Sequence, residues 1–282
     1  MTVITILGAG GNMGRRIAAP LRERGFELRY VEPGESGRLR LESLGLGIQL
    51  ASAEDAVVGS DVVIFAVPDA IVRHVAADIV PKLGVGTSVL FLDPAAIAAG
   101  RIAPRPDVSC FVTHPTHPPL YSLLAEPRAE QRADYWGGGL AQQAVVFAHA
   151  WGPEEPTALV ERVVIEMFAP VSAAHRITVE QMAMLEPALS ETLTNGCIAL
   201  IREGLDRVIA AGVPEAAAHD FCMGHLQIGI ALLFGQLDWK LSDGAQLALA
   251  KARGQIVRDD WYRIFEPEAI LESVRAITGG DD

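Results

Sequence analysis

The chain has 282 residues, half of them hydrophobic, enough for two domains and a large core. Its formal net charge of −12 argues against nucleic acid and anionic membrane as partners. Three scattered cysteines, Cys110, Cys197 and Cys222, show no metal-ligand spacing and suit a reducing compartment.

The chain opens on Val3-Ile4-Thr5-Ile6-Leu7, a β-branched and apolar run that reads as a buried strand. Gly8-Ala9-Gly10-Gly11-Asn12-Met13-Gly14 follows and leads into a helix expected over 12–24. A glycine turn between strand and helix aims free backbone N–H groups at an anion, most often the pyrophosphate of a dinucleotide. The spacing reads either as Gly8-x-Gly10-x-x-x-Gly14 or as Gly8-x-x-Gly11-x-x-Gly14. A second strand, 26–32, ends in Glu32, 24 residues after Gly8. A carboxylate there accepts from the adenosine ribose hydroxyls and repels the 2′-phosphate of NADP, so the expected cofactor is NAD. Arg38 and Arg40 come later, on the next helix.

Further strands are expected at 48–52, 61–67, 88–92 and 108–113, with helices at 35–45, 53–58 and 69–82. The alternation predicts an α/β fold, a Rossmann-type, mostly parallel sheet with helices on both faces. Ligands in such sheets sit at the carboxyl ends of the strands. Val67, Pro68 and Asp69 should therefore border the cofactor, and Leu92-Asp93-Pro94 should lie nearer the nicotinamide. Residues 115–140 read as an irregular excursion, followed by a strand at 144–149, a helix at 153–168 and a last strand at 171–177.

From Thr178 the pattern turns purely helical, which places a boundary between a dinucleotide-binding domain, 1–177, and an all-α substrate and dimerisation domain, 178–282. Thr178 and Gln181 form a capping box, and apolar residues from Met182 to Ile209 recur at helical spacing. The helix closes at Gly212, and Pro187 should bend it or break its ladder. A helix that long is commonly shared between subunits, so a homodimer is expected. A second helix is expected at 216–235.

The strongest catalytic constellation is Thr113-His114-Pro115-Thr116-His117-Pro118-Pro119, just after a strand. Its prolines favour polyproline II, whose three-residue repeat points His114 and His117 the same way. Imidazole takes a proton from a hydroxyl near neutral pH, and a histidine pair also resembles half of a metal site. On the long helix Glu186, Ser190 and Thr194 are spaced i, i+4, i+8, with Glu191 and Asn195 beside them. This polar stripe faces either water or an interdomain cleft where it would hold a polyhydroxylated substrate. His225 is a further candidate for that cleft, whereas His74, His149, His175 and His219 carry no pattern. No Gly-x-Ser-x-Gly elbow and no phosphate-loop Gly-Lys-Ser/Thr occurs, which counts against hydrolases and kinases. No apolar run reaches the roughly 18 residues of a membrane span, and no basic stretch precedes the first apolar one. The expected location is the cytoplasm.

The glycine turn, Ala66-Val67-Pro68-Asp69, Leu92-Asp93-Pro94-Ala95-Ala96, the double-histidine segment and the run from Val179 to Thr192 together resemble the D-apionate oxidoisomerase family. That family lies within the 6-phosphogluconate and β-hydroxyacid dehydrogenase group. The resemblance implies a sugar-acid substrate whose 2-hydroxyl carbon gives a hydride to NAD. The 2-oxo acid then rearranges by a 1,2-shift of a hydroxymethyl group. His114 or His117 fits the base of the first step, and the same group, Glu186 or Glu191 fits the proton transfers of the second. The related shift in ketol-acid reductoisomerases uses magnesium, so a divalent metal is compatible with the resemblance. A plain β-hydroxyacid dehydrogenase usually carries a lysine on the long helix, and 180–200 has none. The histidine-rich stretch followed by lysine of dihydrodipicolinate reductase is missing too. A non-catalytic NAD(H)-binding protein is the reading from another class.

Overall fold

The computed structural model describes residues 1–46, 52–121 and 124–279. The strand expected at 48–52 lies, apart from Ser52, outside them. Ser52 is instead a helix cap, its hydroxyl accepting from Asp55 N at 3.2 Å.

Seven strands form one sheet: β1 (Val3–Leu7), β2 (Glu27–Val31), β3 (Val62–Phe65), β4 (Ser88–Phe91), β5 (Ser109–Pro115), β6 (Gln143–Trp151) and β7 (Val171–Arg176). Their spatial order is β2-β1-β3-β4-β5-β6-β7. The first five run parallel, β6 turns antiparallel to β5, and β7 runs parallel to β6. Strand order reverses between β1 and β3, and the glycine turn leaves β1 at that point.

Both faces of the sheet are covered, which is why its strands are apolar almost throughout. Side chains alternate between faces. Ile4, Ile6, Ile64, Leu90 and Phe111 join one core with α1 (Asn12–Arg22). Leu7, Val63, Phe65, Val89 and Val112 join the other. Five short helices follow in the chain: α2 (Glu35–Ser43), α3 (Ala53–Val57), α4 (Asp69–Ile79), α5 (Ala95–Ala98) and α6 (Ala129–Arg132). Of these, α3 and α4 cover the second face through Val57, Val72, Ala76 and Ile79. Next, α7 (Thr157–Met167) closes the first face beside α1, with Val160, Val163 and Val164 fully buried.

Thr178 opens α8 (Val179–Ala183) with the expected reciprocal capping box. Val179 and Met182 of that helix pack into the second core, so Thr178 caps a helix of the sheet unit rather than opening a new domain. The chain divides into two compact units, one of Met1–Glu186 with the chain from Leu271, the other of Pro187–Ile270.

The single α-helix expected from Thr178 to Gly212 is not continuous. Met184–Thr194 is π-helical, and α9 (Asn195–Ala210) resumes the tighter winding. Pro187 has no N–H for the ladder, and the wider turn suits the threonines. Thr192 Oγ1 donates to Pro187 O at 2.7 Å and Thr194 Oγ1 to Leu189 O at 2.8 Å, each five residues back. In such winding Glu186, Ser190 and Thr194 no longer stack as one stripe, as i, i+4 spacing does in an α-helix. The second helix expected is α10 (Glu215–Leu233). Two more were not read from the sequence: α11 (Asp243–Ile256), capped by Ser242, and α12 (Pro267–Ile277). Among the described residues no helix is long and apolar enough to cross a membrane.

Candidate active site

The glycine turn is built by close approach. Gly8 adopts φ +76°, and its N–H donates to Val31 O at 2.9 Å. A Cβ on Gly10 would overlap the backbone of Gly37, and one on Gly14 the backbone of Gly8 and Ala9. Gly11 is less constrained, since a Cβ there would meet Gly8 O at 3.3 Å. Of the two readings of the motif, Gly8-x-Gly10-x-x-x-Gly14 therefore carries the steric demand. Gly11 precedes α1 without a side-chain cap, so the N–H groups of the first turn, at Asn12, Met13 and Gly14, are not occupied by a capping side chain.

Glu32 stands at the end of β2. Its carboxylate accepts from Gly10 N at 2.9 Å and from Gly34 N at 3.0 Å, which ties the acidic position to the glycine turn. Each oxygen keeps a lone pair for a further donor. A cavity of about 610 Å³ opens here, lined by Leu7, Gly8, Val31, Glu32, Val67 and Ile71 among others. His74 also lines it, a residue the sequence gave no reason to single out. That size suits a nucleoside. The steric cradle, the uncapped helix and the acidic strand end fit a dinucleotide. Pro68 starts α4, with its carbonyl accepting from Ile71 N and Val72 N, and Pro94 starts α5, with its carbonyl accepting from Ala98 N.

Beyond the cradle, the histidine segment does not form polyproline II. His114 and Pro115 belong to β5, paired with Val146 and Val145. Thr116 N prolongs the ladder to Ala144 O at 3.0 Å. The turn comes only at His117, which takes a left-handed φ of +59°. That turn, rather than a three-residue repeat, brings the two rings to 6.0 Å between centroids, edge to face.

Both rings have defined tautomers. His114 Nδ1 lies 2.8 Å from Pro115 O, and His117 Nδ1 lies 3.1 Å from Trp136 O. A carbonyl only accepts, so each Nδ1 carries the proton and each Nε2 keeps a lone pair. His114 Nε2 faces Glu186 Oε1 at 3.5 Å, with both side chains mostly buried. Burial pushes the Glu186 carboxyl upward and the His114 imidazolium downward. Nε2 and the carboxylate stand close enough that a proton taken up by either can pass to the other.

Asp69 and Asp93 enlarge this electrostatic neighbourhood. Desolvation lifts the Asp93 carboxyl to about 6, helped by Asp69 and Glu186 and opposed by a hydrogen bond from Ala95 N at 2.7 Å and by His114. Partial desolvation also raises Asp69, opposed by its own backbone and by His114. Glu191 and Asn195, expected at the same site, are exposed on the second unit. His225 is exposed there too, its Nδ1 2.8 Å from Phe221 O. Among the described residues no three His, Cys, Asp or Glu side chains are arranged to hold a metal ion.

Sequence reasoning passed over Arg16. It is 9% exposed on α1, and its charge acts on both histidines. The signal was a cation in the first turns of a helix, where the macrodipole disfavours it.

Two family models cover the chain. Residues 125–278 match phosphogluconate dehydrogenase (decarboxylating) C-term, and residues 2–121 match acetohydroxy acid isomeroreductase, NADPH-binding domain. A D-apionate oxidoisomerase from Rhizobium rhizogenes is 42% identical over 99% of this chain and 100% of its own. Another, from Pectobacterium atrosepticum, is 38% identical over 96% and 93%. A crystal structure of a semialdehyde dehydrogenase NAD-binding protein from Cupriavidus necator, in complex with calcium and NAD, has a TM-score of 0.94 at 42% identity, covering 99% of this chain and 100% of that one. With likeness at that level along its whole length, the chain belongs to the D-apionate oxidoisomerase family and is an oxidoreductase.

Proposed function

We propose that the protein oxidises the 2-hydroxyl of a branched sugar acid of the D-apionate type with NAD, and couples this to a 1,2-shift of a hydroxymethyl group. The observation that carries the reading is the His114–Glu186 pair, 3.5 Å apart, with the His114 proton fixed on Nδ1. The relatives' shared name supplies the substrate class.

Gly8, Gly10, Gly14 and the start of α1 would hold the pyrophosphate of the cofactor, and Glu32 its adenosine ribose. The nicotinamide, when bound, supplies the acceptor for the hydride leaving C2. His114 Nε2, a free base in this tautomer, takes the proton of the 2-hydroxyl. Glu186 Oε1 receives that proton or returns it. In the shift the hydroxymethyl carbon migrates with its bonding pair from C3 to C2. The C3 hydroxyl loses its proton and becomes the new ketone, and the old 2-oxo oxygen gains one. The second step is therefore proton-neutral, and one shared proton between Nε2 and Oε1 serves both transfers. His117, 6.0 Å from His114 between ring centroids, is placed to orient the hydroxyls.

Glu32 favours NAD over NADP. The nearby arginines are turned to backbone oxygens: Arg38 Nη1 donates to Pro33 O at 2.6 Å and Arg40 Nε to Gly10 O at 2.9 Å. A second copy of the chain would cover the apolar surface of α9–α11, where Ile198, Phe221, Leu233 and Leu247 are all more than half exposed. We accordingly read the protein as a homodimer. Its free cysteines suit the cytoplasm.

The test is D-apionate with NAD, following NADH and identifying the product by carbon NMR. A ketone on a shifted skeleton is expected. A 2-oxo acid on the original skeleton would reduce the reading to a plain dehydrogenase. Binding of NADH without turnover on any branched or linear sugar acid would overturn it.

A further inference from the structure

We infer that Arg16 is a positioning residue: from α1 it holds the loop after Asp134 so that the Trp136 carbonyl keeps the His117 proton on Nδ1 and leaves Nε2 facing the site. The inference rests on the reading that His117 serves the reaction.

The loop is tied from inside and outside. Inside, the Asp134 carboxylate accepts from Gly138 N at 2.6 Å and from Leu140 N and Ala141 N at 2.9 Å. From outside, Arg16 Nε donates to Gly137 O at 3.0 Å and Nη2 to Gln143 Oε1 at 2.8 Å. Gln143 is itself fixed, donating to Phe168 O at 2.9 Å. The guanidinium carbon lies 4.7 Å from the Trp136 ring centre and 5.4 Å from that of Phe168. Gly137 takes φ +78°, and a Cβ on it would strike Arg16 Nη2, so guanidinium and loop backbone fill adjoining space.

Trp136 connects this anchor to the histidine. Its ring lies 5.2 Å from the His117 ring, and its carbonyl lies 3.1 Å from Nδ1. His117 needs such support, because a left-handed backbone at a non-glycine residue persists only where its surroundings over-determine it. Thr116 Oγ1 adds one restraint, donating to His117 O at 3.1 Å. A buried guanidinium is a poor way to hold a loop for stability alone, since an apolar side chain of similar volume avoids the desolvation cost. What the guanidinium adds is a planar fork that sets the loop's position, and a charge. Arg16 and His114 both disfavour a proton on His117, as burial does, while the Trp136 carbonyl favours it. Asp134 faces Arg16 from the loop.

The experiment is nitrogen NMR of the imidazoles in the full-length protein, with His117 assigned through His117→Gln. In the wild type His117 should show one tautomer, Nδ1–H, and a pKa below the ordinary histidine value. Arg16→Gln removes fork and charge. It should mix the tautomers and raise the His117 pKa. Arg16→Lys keeps the charge without the fork. It should mix the tautomers with little change in pKa, and it serves as the test if Arg16→Gln does not fold. A folded variant in which tautomer and pKa match the wild type would overturn the inference. Full activity in His117→Gln would instead remove the catalytic reading of His117 and leave the NMR result standing.

Discussion

The two units of this chain bury their apolar residues to very different degrees. In the sheet unit Ile4, Ile6, Val62, Ile64 and Phe111 are all at 0% exposure. In the helical unit Phe221 is 67% exposed, Leu233 63% and Trp239 69%. The cause lies in the pattern. The parallel strands are covered from both sides, by α1 and α7 and by α3 and α4, so their apolar positions find neighbours in their own chain. On α10 only Ala218 and Ala231 are buried, although Phe221, Met223, Ile228 and Leu233 are apolar. A soluble monomer rarely presents that much apolar surface, and its size marks a surface made to be covered. The sheet unit thus buries its apolar residues within its own chain, and the helical unit leaves the surface that the proposed second copy would cover.

The largest effect should come from cutting into the first core. Phe111→Ala should cost about 3–5 kcal/mol in urea unfolding, because a fully buried ring leaves a cavity. Phe234→Ala, at a residue 76% exposed, should change unfolding by no more than about 0.5 kcal/mol when measured at concentrations where the protein is monomeric. Equal losses would show that the units are not built differently.

Next in size is the chemistry. His114→Ala should lower kcat by about 10²-fold or more, near 3 kcal/mol, with NAD affinity nearly unchanged. The histidine sits at the edge strand of the parallel run, away from the cradle at β1. The pH profile carries a sign as well. Burial is the largest influence on His114 and lowers its pKa, while the Asp93 and Asp69 charges raise it. The base must be unprotonated to act, so the acid limb of kcat/KM should lie below the ordinary histidine value. A limb above it would mean that the carboxylates outweigh burial.

How much of this was legible depended on what kind of interaction fixed each residue. Strands β1, β3 and β4 could be read because period and apolarity agree there. Thr178 and its partner Gln181 could be read as a cap, since the bonds involved are local. The loss of α-helical winding over Met184–Thr194 could not be foreseen in extent. Pro187 signals a break, but how far the wider turn runs depends on threonine hydroxyls reaching carbonyls five residues back. The meeting of His114 and His117 was anticipated for the wrong reason. Ladder bonds to β6 held Pro115 and Thr116 extended, overriding the proline preference for polyproline II. Arg16 was missed because its partners, Gly137 and Gln143, are more than 120 residues away.

A smaller effect should mark the apolar surface of α10. Leu233→Asp should raise the dimer dissociation constant by about thirtyfold, roughly 2 kcal/mol, read by light scattering across a dilution series. The sheet unit offers a control in Val85→Asp. Val85 is 82% exposed but lies in a loop before β4, and the change there should leave assembly as it is. A monomeric wild type, or equal effects of the two aspartates, would break the contrast between the units.

The smallest effect tests the cradle itself. Glu32 accepts two backbone N–H groups, from Gly10 and Gly34, and presents a negative charge beside the cavity. Glu32→Ala removes both roles. Loss of the hydrogen bonds should loosen the glycine turn and weaken NAD by about tenfold, near 1.4 kcal/mol. Loss of the charge should help NADP by removing repulsion, so the ratio of kcat/KM for NAD over NADP should fall further than NAD binding alone. Glu32→Gln separates the two, because its amide oxygen still accepts a bond while the charge is gone. It should keep most of the NAD affinity and still lose discrimination. If both variants discriminate as well as the wild type, cofactor choice lies elsewhere, and Arg38 and Arg40, now turned to backbone carbonyls, become the residues to change.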